Sequence, residues 1–241
     1  MNKHAIVPES DGAPQSRAAA VEGRPPQPLV GATFVIGAAA RVQLPESGPP
    51  EIAFAGRSNA GKSSAINVLA NRTRLAFASR TPGRTQQINF FALRQGGLVA
   101  DLPGYGYAAV AKEIKRGWQD FLWEYVSTRS TLVGLVLVVD ARHALKDLDR
   151  TLLANFLPSG RPVLVLATKS DKLNNAERRA AVKKIVAQVA GDFPGQAPQV
   201  EVVAFSASAR TGVVEADRVL AQWLGLGPPE RPDAERAPAA E

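Results

Sequence analysis

The 241-residue sequence has no cysteine, which rules out disulfides and thiolate zinc sites and fits a reducing compartment. Its longest apolar runs fall far short of the roughly 18 residues that a membrane helix needs, so no span is expected. No apolar core follows Lys3, so no signal peptide is expected either, and a cytoplasmic location is the consistent reading. No internal repeat is visible. Residues 1–28 and 226–241 lack apolar periodicity and are rich in Ala, Pro and charge; both are expected to be disordered tails. That leaves 29–225 for a single ordered domain, and 45% hydrophobic residues give it a sizeable core.

Acidic residues are scarce in one particular place. Between Gly56 and Arg116 there are ten Lys or Arg and two acids, Asp101 and Glu113, so most of the net charge of +7 resides there. A basic excess of this kind fits a polyanionic partner, or a solvated basic face.

That region opens on Gly56-Arg57-Ser58-Asn59-Ala60-Gly61-Lys62-Ser63, which satisfies the phosphate-loop pattern G-x-x-x-x-G-K-[ST] at every fixed position. An apolar strand candidate, Glu51 to Ala55, precedes it, and a helix candidate beginning with Ser64 follows. Glycines let the backbone wrap a polyphosphate, and the N–H groups at the helix start supply donors and a positive dipole. Lys62 would reach the terminal phosphates and the Ser63 hydroxyl would bind magnesium.

Further along, apolar runs alternate with helical patterns. Residues 88–93 and 98–101 read as strands joined by Gln95-Gly96-Gly97, a hairpin signal. Helices are expected over 111–127, 144–157, 176–190 and 213–224. Strands are expected over 132–140, 162–168 and 200–205, the first two almost continuously apolar, the pattern of a sheet covered on both faces. Residues 31–36 begin the ordered part, with Phe34, Val35 and Ile36 at the domain edge. The sum is an α/β fold: a mixed, mostly parallel six-stranded sheet with helices on both faces and its phosphate loop at the carboxyl end of a strand.

Three more motifs narrow the chemistry. Asp101-Leu102-Pro103-Gly104 ends a strand; a carboxylate there can hold magnesium through water, and Gly104 can turn its N–H to a γ-phosphate. Thr168-Lys169-Ser170-Asp171 resembles the guanine-reading N-K-x-D with Thr in the place of Asn. An Asp carboxylate can accept from both N1–H and the exocyclic amine of guanine, a donor pair adenine lacks, and the Lys169 stem can lie over the base. Phe205-Ser206-Ala207 matches the S-A element whose backbone meets the guanine carbonyl. A phosphate-loop kinase would leave these guanine motifs unexplained. Between the first two motifs lies Thr81-Pro82-Gly83-Arg84-Thr85. Thr85 is the favoured magnesium and γ-phosphate ligand, with Thr81 the alternative; both hydroxyls could instead cap turns.

Taken in order, GRSNAGKS, TPGRTQ, DLPGYGYA, TKSD and FSA closely resemble the EngB family of bacterial ribosome-assembly GTPases. The likeness spans residues 34–224. It implies a phosphate-loop GTPase G domain that hydrolyses GTP with Mg²⁺. It also implies a role in assembling the large (50S) ribosomal subunit, with rRNA and ribosomal proteins as partners, and a link to division septum formation. A monomer is expected. An alternative is a septation interaction module in which the nucleotide is mainly structural.

Two departures bear on rate and affinity. Many related G domains carry a water-orienting Gln after D-x-x-G, and here that position is Tyr105. Slow intrinsic hydrolysis is therefore expected, with a partner or a cation supplying activation. Asn59 could hold K⁺ through its side-chain oxygen, as in potassium-activated G domains, or only stabilise the loop turn. Thr168 lacks the amide that would tether the phosphate loop, and weaker nucleotide binding is expected from that. Arg80, Arg84, Lys112, Lys115 and Arg116 flank the loops that would respond to nucleotide and could meet RNA phosphates. Trp118 and Tyr125 read as core.

Overall fold

Residues that alternate along a strand face opposite sides of its sheet, so a strand apolar at every position needs cover on both. The computed structural model shows this arrangement; it describes residues 25–46, 48–76, 87–106 and 112–226, with the backbone alone of 112–119. Seven strands form one sheet: β1 (Thr33–Ala38), β2 (Glu51–Gly56), β3 (Ile88–Ala92), β4 (Leu98–Asp101), β5 (Leu132–Asp140), β6 (Val163–Thr168) and β7 (Val200–Ala204). Their spatial order is β1-β3-β4-β2-β5-β6-β7. β3 alone runs against the rest, pairing antiparallel with β1 and β4, while β4, β2, β5, β6 and β7 pair in parallel.

Five α-helices cover the sheet: α1 (Lys62–Leu69), α2 (Lys112–Thr128), α3 (Asp147–Phe156), α4 (Asn175–Asp192) and α5 (Val213–Trp223). On one face Ala53, Leu135, Leu137 and Val165 pack with Leu122, Tyr125, Leu153, Phe156 and Ile185 of α2, α3 and α4. On the other, Ile52, Phe54, Val136 and Leu164 pack with Ile66 and Leu69 of α1 and with Ala216 and Leu220 of α5. Each such fully buried large side chain contributes ~1.5–3 kcal/mol.

The sheet has one strand more than the six expected. Thr33–Ala38 adds to the hairpin as an edge strand, with Phe34 and Val35 more than half exposed. Its short run carries the apolar residues of a strand but none of the alternation that marks a half-buried one. The ordered part also begins before residue 29: Pro28 is buried, and Gln27 donates from Nε2 to Asp217 Oδ2 at 3.4 Å. On α4, Ile185 and Val189 face the sheet, four residues apart, whereas Val186 is turned 100° from Ile185 and is half exposed. Tyr125 is core as expected. The side chain of Trp118 lies outside the described residues, as do residues 1–24 and 227–241 of the two expected tails. Among the described residues no helix is long and apolar enough to cross a membrane.

At the amino end of β2, opposite the phosphate loop, the Glu51 carboxylate is fully buried. It accepts from Tyr125 Oη (2.8 Å), Thr131 Oγ1 (2.8 Å) and Arg129 Nε (3.0 Å) and Nη2 (2.5 Å). Arg129 Nη2 also donates to the Pro45 carbonyl at 2.7 Å. This cluster pins the loop before β2, the end of α2 and the start of β5 at one point. Arg129→Met would leave a buried carboxylate without its cation. A stability loss of about 3–5 kcal/mol is expected from urea denaturation; a wild-type midpoint would contradict it.

Candidate functional site

Parallel strands place their carboxyl ends on one rim. The registers pair Phe54 with Asp101, Gly56 with Val138, Asp140 with Thr168 and Ala167 with Ala204. The four motifs, far apart in the chain, therefore converge on a single edge. Gly56 ends β2 where only hydrogen fits: a Cβ there would lie 2.6 Å from the Val138 carbonyl oxygen.

The phosphate loop and the Asp101–Gly104 segment continue the β2–β4 ladder beyond the strands. Leu102 N donates to Phe54 O (2.9 Å), Tyr105 N to Gly56 O (3.3 Å) and Ser58 N to Tyr105 O (2.9 Å). Ser58 Oγ donates to the Gly104 carbonyl at 3.3 Å. A Cβ on Gly104 would stand 3.1–3.2 Å from Ser58 Oγ, Cα and N, so the two loops are in backbone contact.

Lys62 opens α1 and its ammonium pairs directly with the Asp101 carboxylate. Both side chains are nearly buried, 11% and 5% exposed, so each needs the other's charge. Ser63 follows Lys62 on the same helix start. A hydroxyl and a carboxylate are hard oxygen donors of the kind magnesium takes, and a phosphate would suit Lys62. The residues present thus fit a magnesium–nucleotide pair.

At the Thr168–Asp171 motif, Asp171 Oδ1 accepts from Ser206 Oγ at 2.6 Å. That hydrogen bond holds the Asp171 carboxyl below the usual carboxylate range, so it is an anion at neutral pH. Ser206 N donates to Thr211 O at 3.0 Å, and Ser170 N donates to Phe205 O at 3.1 Å. The loops after β6 and β7 are thereby tied to one another. Lys169 sits in the left-handed region at φ 58° and sends its ammonium to the Asn59 carbonyl (2.8 Å) and to Asp140 Oδ2 (3.0 Å).

One expectation is corrected here. Thr168 does tether the phosphate loop: its Oγ1 lies 2.5 Å from the Ala60 carbonyl and 3.0 Å from that of Val139. A short hydroxyl suffices because β6 runs close beneath the loop, so an amide is not required. Asn59 is exposed and sits at φ 64°, a conformation asparagine tolerates better than most residues. Leu102 is fully buried, Pro103 half-buried and Ser64 exposed. Thr81, Gly83, Arg84 and Thr85 lie outside the described residues, as do Arg80 and the side chains of Lys112, Lys115 and Arg116.

Three residues border the site without a role assigned from sequence. Asp140 ends β5 beneath Lys169. Burial pushes its carboxyl up, but hydrogen bonds from Arg142 and Lys169 outweigh this and hold it well below the usual carboxylate range. An acid closing the otherwise apolar run LVGLVLVVD was the available sign. Tyr105, noted only as a substitute for Gln, donates from its phenol to Asp149 Oδ1 at 2.7 Å. Burial, and then the Asp149 charge, raise that phenol well above 10, so it remains a donor at neutral pH. Asp149 carried no functional signal, since an acid at the start of a helix is expected for capping alone. A cleft of about 240 Å³ runs along this side, lined by Arg57, Asn59, Asp140, Arg142, Asp149 and Lys169 among others.

With this geometry in view, sequence comparison is decisive. Residues 51–169 match the profile of a family described as 50S ribosome-binding GTPase. The chain is 51% identical over 193 residues to a probable GTP-binding protein EngB of Azoarcus sp. strain BH72, covering 80% of this chain and 91% of that protein. This chain belongs to the EngB family of GTP-binding proteins. Another EngB relative, from Dechloromonas aromatica, is 46% identical over 208 residues, covering 83% and 94% of the two chains. Among solved structures, a probable GTP-binding protein engB superposes with TM-score 0.57 at 20% identity, covering 73% of this chain and 98% of that one. Era bound to MgGDPNP and a 16S ribosomal RNA segment superposes with TM-score 0.54 at 18% identity, covering 77% and 60%. These two superpositions establish the shared G-domain fold. The EngB family is one of GTPases.

The Thr168 hydroxyl predicts a test. Thr168→Ala should weaken GTP binding about five- to ten-fold, the effect of losing one buried hydrogen bond. Thr168→Ser should stay close to wild type, and Thr168→Asn should bring no gain. Unchanged affinity in Thr168→Ala, measured by fluorescent-nucleotide titration, would contradict the tether.

Proposed function

We propose that this EngB-family chain is a slow GTP hydrolase that switches with nucleotide on precursors of the 50S subunit. The Ser206–Asp171 hydrogen bond carries this reading. It fixes an ionised carboxylate on the rim that bears the phosphate loop, where it can accept from N1–H and the exocyclic amine of guanine. With Ser206 N–H engaged by Thr211, the Ala207 N–H is the one assigned to the guanine carbonyl. Residues 56–63 and Ser64 wrap the phosphates. Bound magnesium would neutralise charge on the phosphates; Ser63 and Thr85 would hold it directly, and Asp101 through water. Lys62 exchanges Asp101 for the terminal phosphates, and the Gly104 N–H meets the γ-phosphate. Gly83 and Arg84 border the nucleotide beside Thr85.

Slow turnover follows from Tyr105. Its phenol is committed to Asp149 and orients no water, so activation comes from a partner or from K⁺ near Asn59. The family profile and the basic stretch from Gly56 to Arg116 support rRNA and ribosomal proteins of the 50S precursor as partners. The family likeness supports a further contribution to division septum formation, and a cytoplasmic monomer is the form proposed to act.

Asp171→Asn tests the guanine assignment: it should favour XTP over GTP, because the amide offers a donor where xanthine has an acceptor. Retained GTP preference would remove Asp171 from that role. Co-sedimentation with 50S precursors should be stronger with a non-hydrolysable GTP analogue than with GDP and should weaken as salt rises. Binding indifferent to both nucleotide and salt would instead favour a septation module. Hydrolysis by the same preparation should be faster in KCl than in NaCl at equal ionic strength, and equal rates would remove potassium.

A further inference from the structure

The residue after Gly104 leaves the phosphate loop and plugs into α3. Tyr105 Oη donates to Asp149 Oδ1 at 2.7 Å, while Asp149 Oδ2 accepts from Lys146 N at 2.9 Å and closes the first turn of α3. Asp149 is 1% exposed, so both oxygens depend on these protein donors. Nearby stands Arg57, the second residue of the phosphate loop. Arg57 and Asp149 line the same cleft, and the positive charge of Arg57 favours the ionised form of both Tyr105 and Asp149. The Arg57 side chain is exposed and makes no ion pair or hydrogen bond among the described residues. Its Nε lies 3.6 Å from the Cβ position of Gly106, on the same loop as Tyr105.

We propose that Tyr105 and Asp149 form a latch that positions the Gly104 loop, and that Arg57 replaces Tyr105 on Asp149 when a γ-phosphate draws that loop away. This rests on the GTP-switch reading above and adds to it a mechanical output. The two states share one acceptor. In the first, the phenol satisfies Asp149, and Ser58 N–H is held by the Tyr105 carbonyl. In the second, the loop moves with its glycine, and a buried carboxylate oxygen loses its donor. The Arg57 guanidinium, on the same cleft, can restore the bond with a full charge. The exchange is felt at the first turn of α3 because the other oxygen of the same carboxylate caps that helix. α3 packs against α2, so the release of one side chain reaches two helices of one face. The latched arrangement occurs together with the direct Lys62–Asp101 pair, which a magnesium–triphosphate would have to break. A γ-phosphate draws the Gly104 loop off the latch and a diphosphate has none, so latching opposes GTP more than GDP.

Tyr105 and Asp149 are positioning residues in this scheme, and nucleotide discrimination reads them. Tyr105→Phe keeps the ring and removes the donor. The ratio of affinities for a non-hydrolysable GTP analogue and GDP should rise about five-fold, the effect of one net hydrogen bond. Asp149→Asn weakens the acceptor in both states, the phenol's in the first and the guanidinium's in the second, so its ratio should stay below that of Tyr105→Phe. In the Asp149→Asn background Tyr105→Phe should add little, because the phenol has then already lost its carboxylate. Thermal melting of each variant separates structure from switching. An unchanged ratio in Tyr105→Phe, with or without a lower melting temperature, would overturn the latch, and so would additive effects. Wild type binding GTP and GDP normally in that case would leave the GTP-switch reading standing. A wild-type chain that bound neither nucleotide would overturn both.

Discussion

Ser58 donates its backbone N–H to Tyr105, and Tyr105 donates its own to Gly56. Through these two hydrogen bonds the phosphate loop and the Asp101–Gly104 segment behave as an extension of the β2–β4 ladder. Everything that follows on the rim is referred to this joint. It sets Gly104 against Ser58, leaves Lys62 facing Asp101, and points the Tyr105 ring towards α3. Backbone pairing of this kind depends on register and not on side-chain chemistry, which is why glycine is needed at Gly56 and Gly104, where the strands and loops touch.

On that frame, charge is arranged in shared pairs. Lys62 and Asp101 neutralise one another in a nearly buried setting, and Lys169 spans from Asp140 to the Asn59 carbonyl. Removing one member of a buried pair costs more than the pair contributes. Such a site favours a ligand that brings both signs, and a triphosphate with a divalent cation does so. Phosphate oxygens would take the lysine and the cation would take the aspartate. The loops after β6 and β7 differ, because the Asp171 carboxylate there is held at close range by the Ser206 hydroxyl, with the Lys172 ammonium further off at 3.6 Å. Thr168 joins the two ends by securing the phosphate loop to β6.

Most of the architecture could be read from the residues. Leu132–Asp140 and Val163–Thr168 are apolar up to their last residue because both faces of a central parallel strand are covered, and Gly96 and Gly97 at positive φ turn the hairpin as the Gly-Gly pair implied. The edge strand Thr33–Ala38 was harder to see, since half-exposed Phe34, Val35 and Ile36 break the alternation that exposes a strand in sequence. Among site residues, the motif positions from Gly56 to Ser63 and from Asp101 to Gly104 converge as their spacing implied. The Thr168 tether was misjudged because the distance between β6 and the loop is a tertiary quantity. Asp149 was invisible: its partner Tyr105 is 44 positions away, and nothing local distinguishes it from an ordinary helix-start acid.

If the backbone joint is a switch, its amides must report the nucleotide. Hydrogen exchange over peptides covering residues 54–60 and 101–106 measures this directly, with Mg²⁺ and either GDP or a non-hydrolysable GTP analogue bound. The account predicts different protection at Ser58 and Tyr105 in the two states, together with a change at the start of α3. Identical exchange in both states, with both nucleotides shown to be bound, would contradict it.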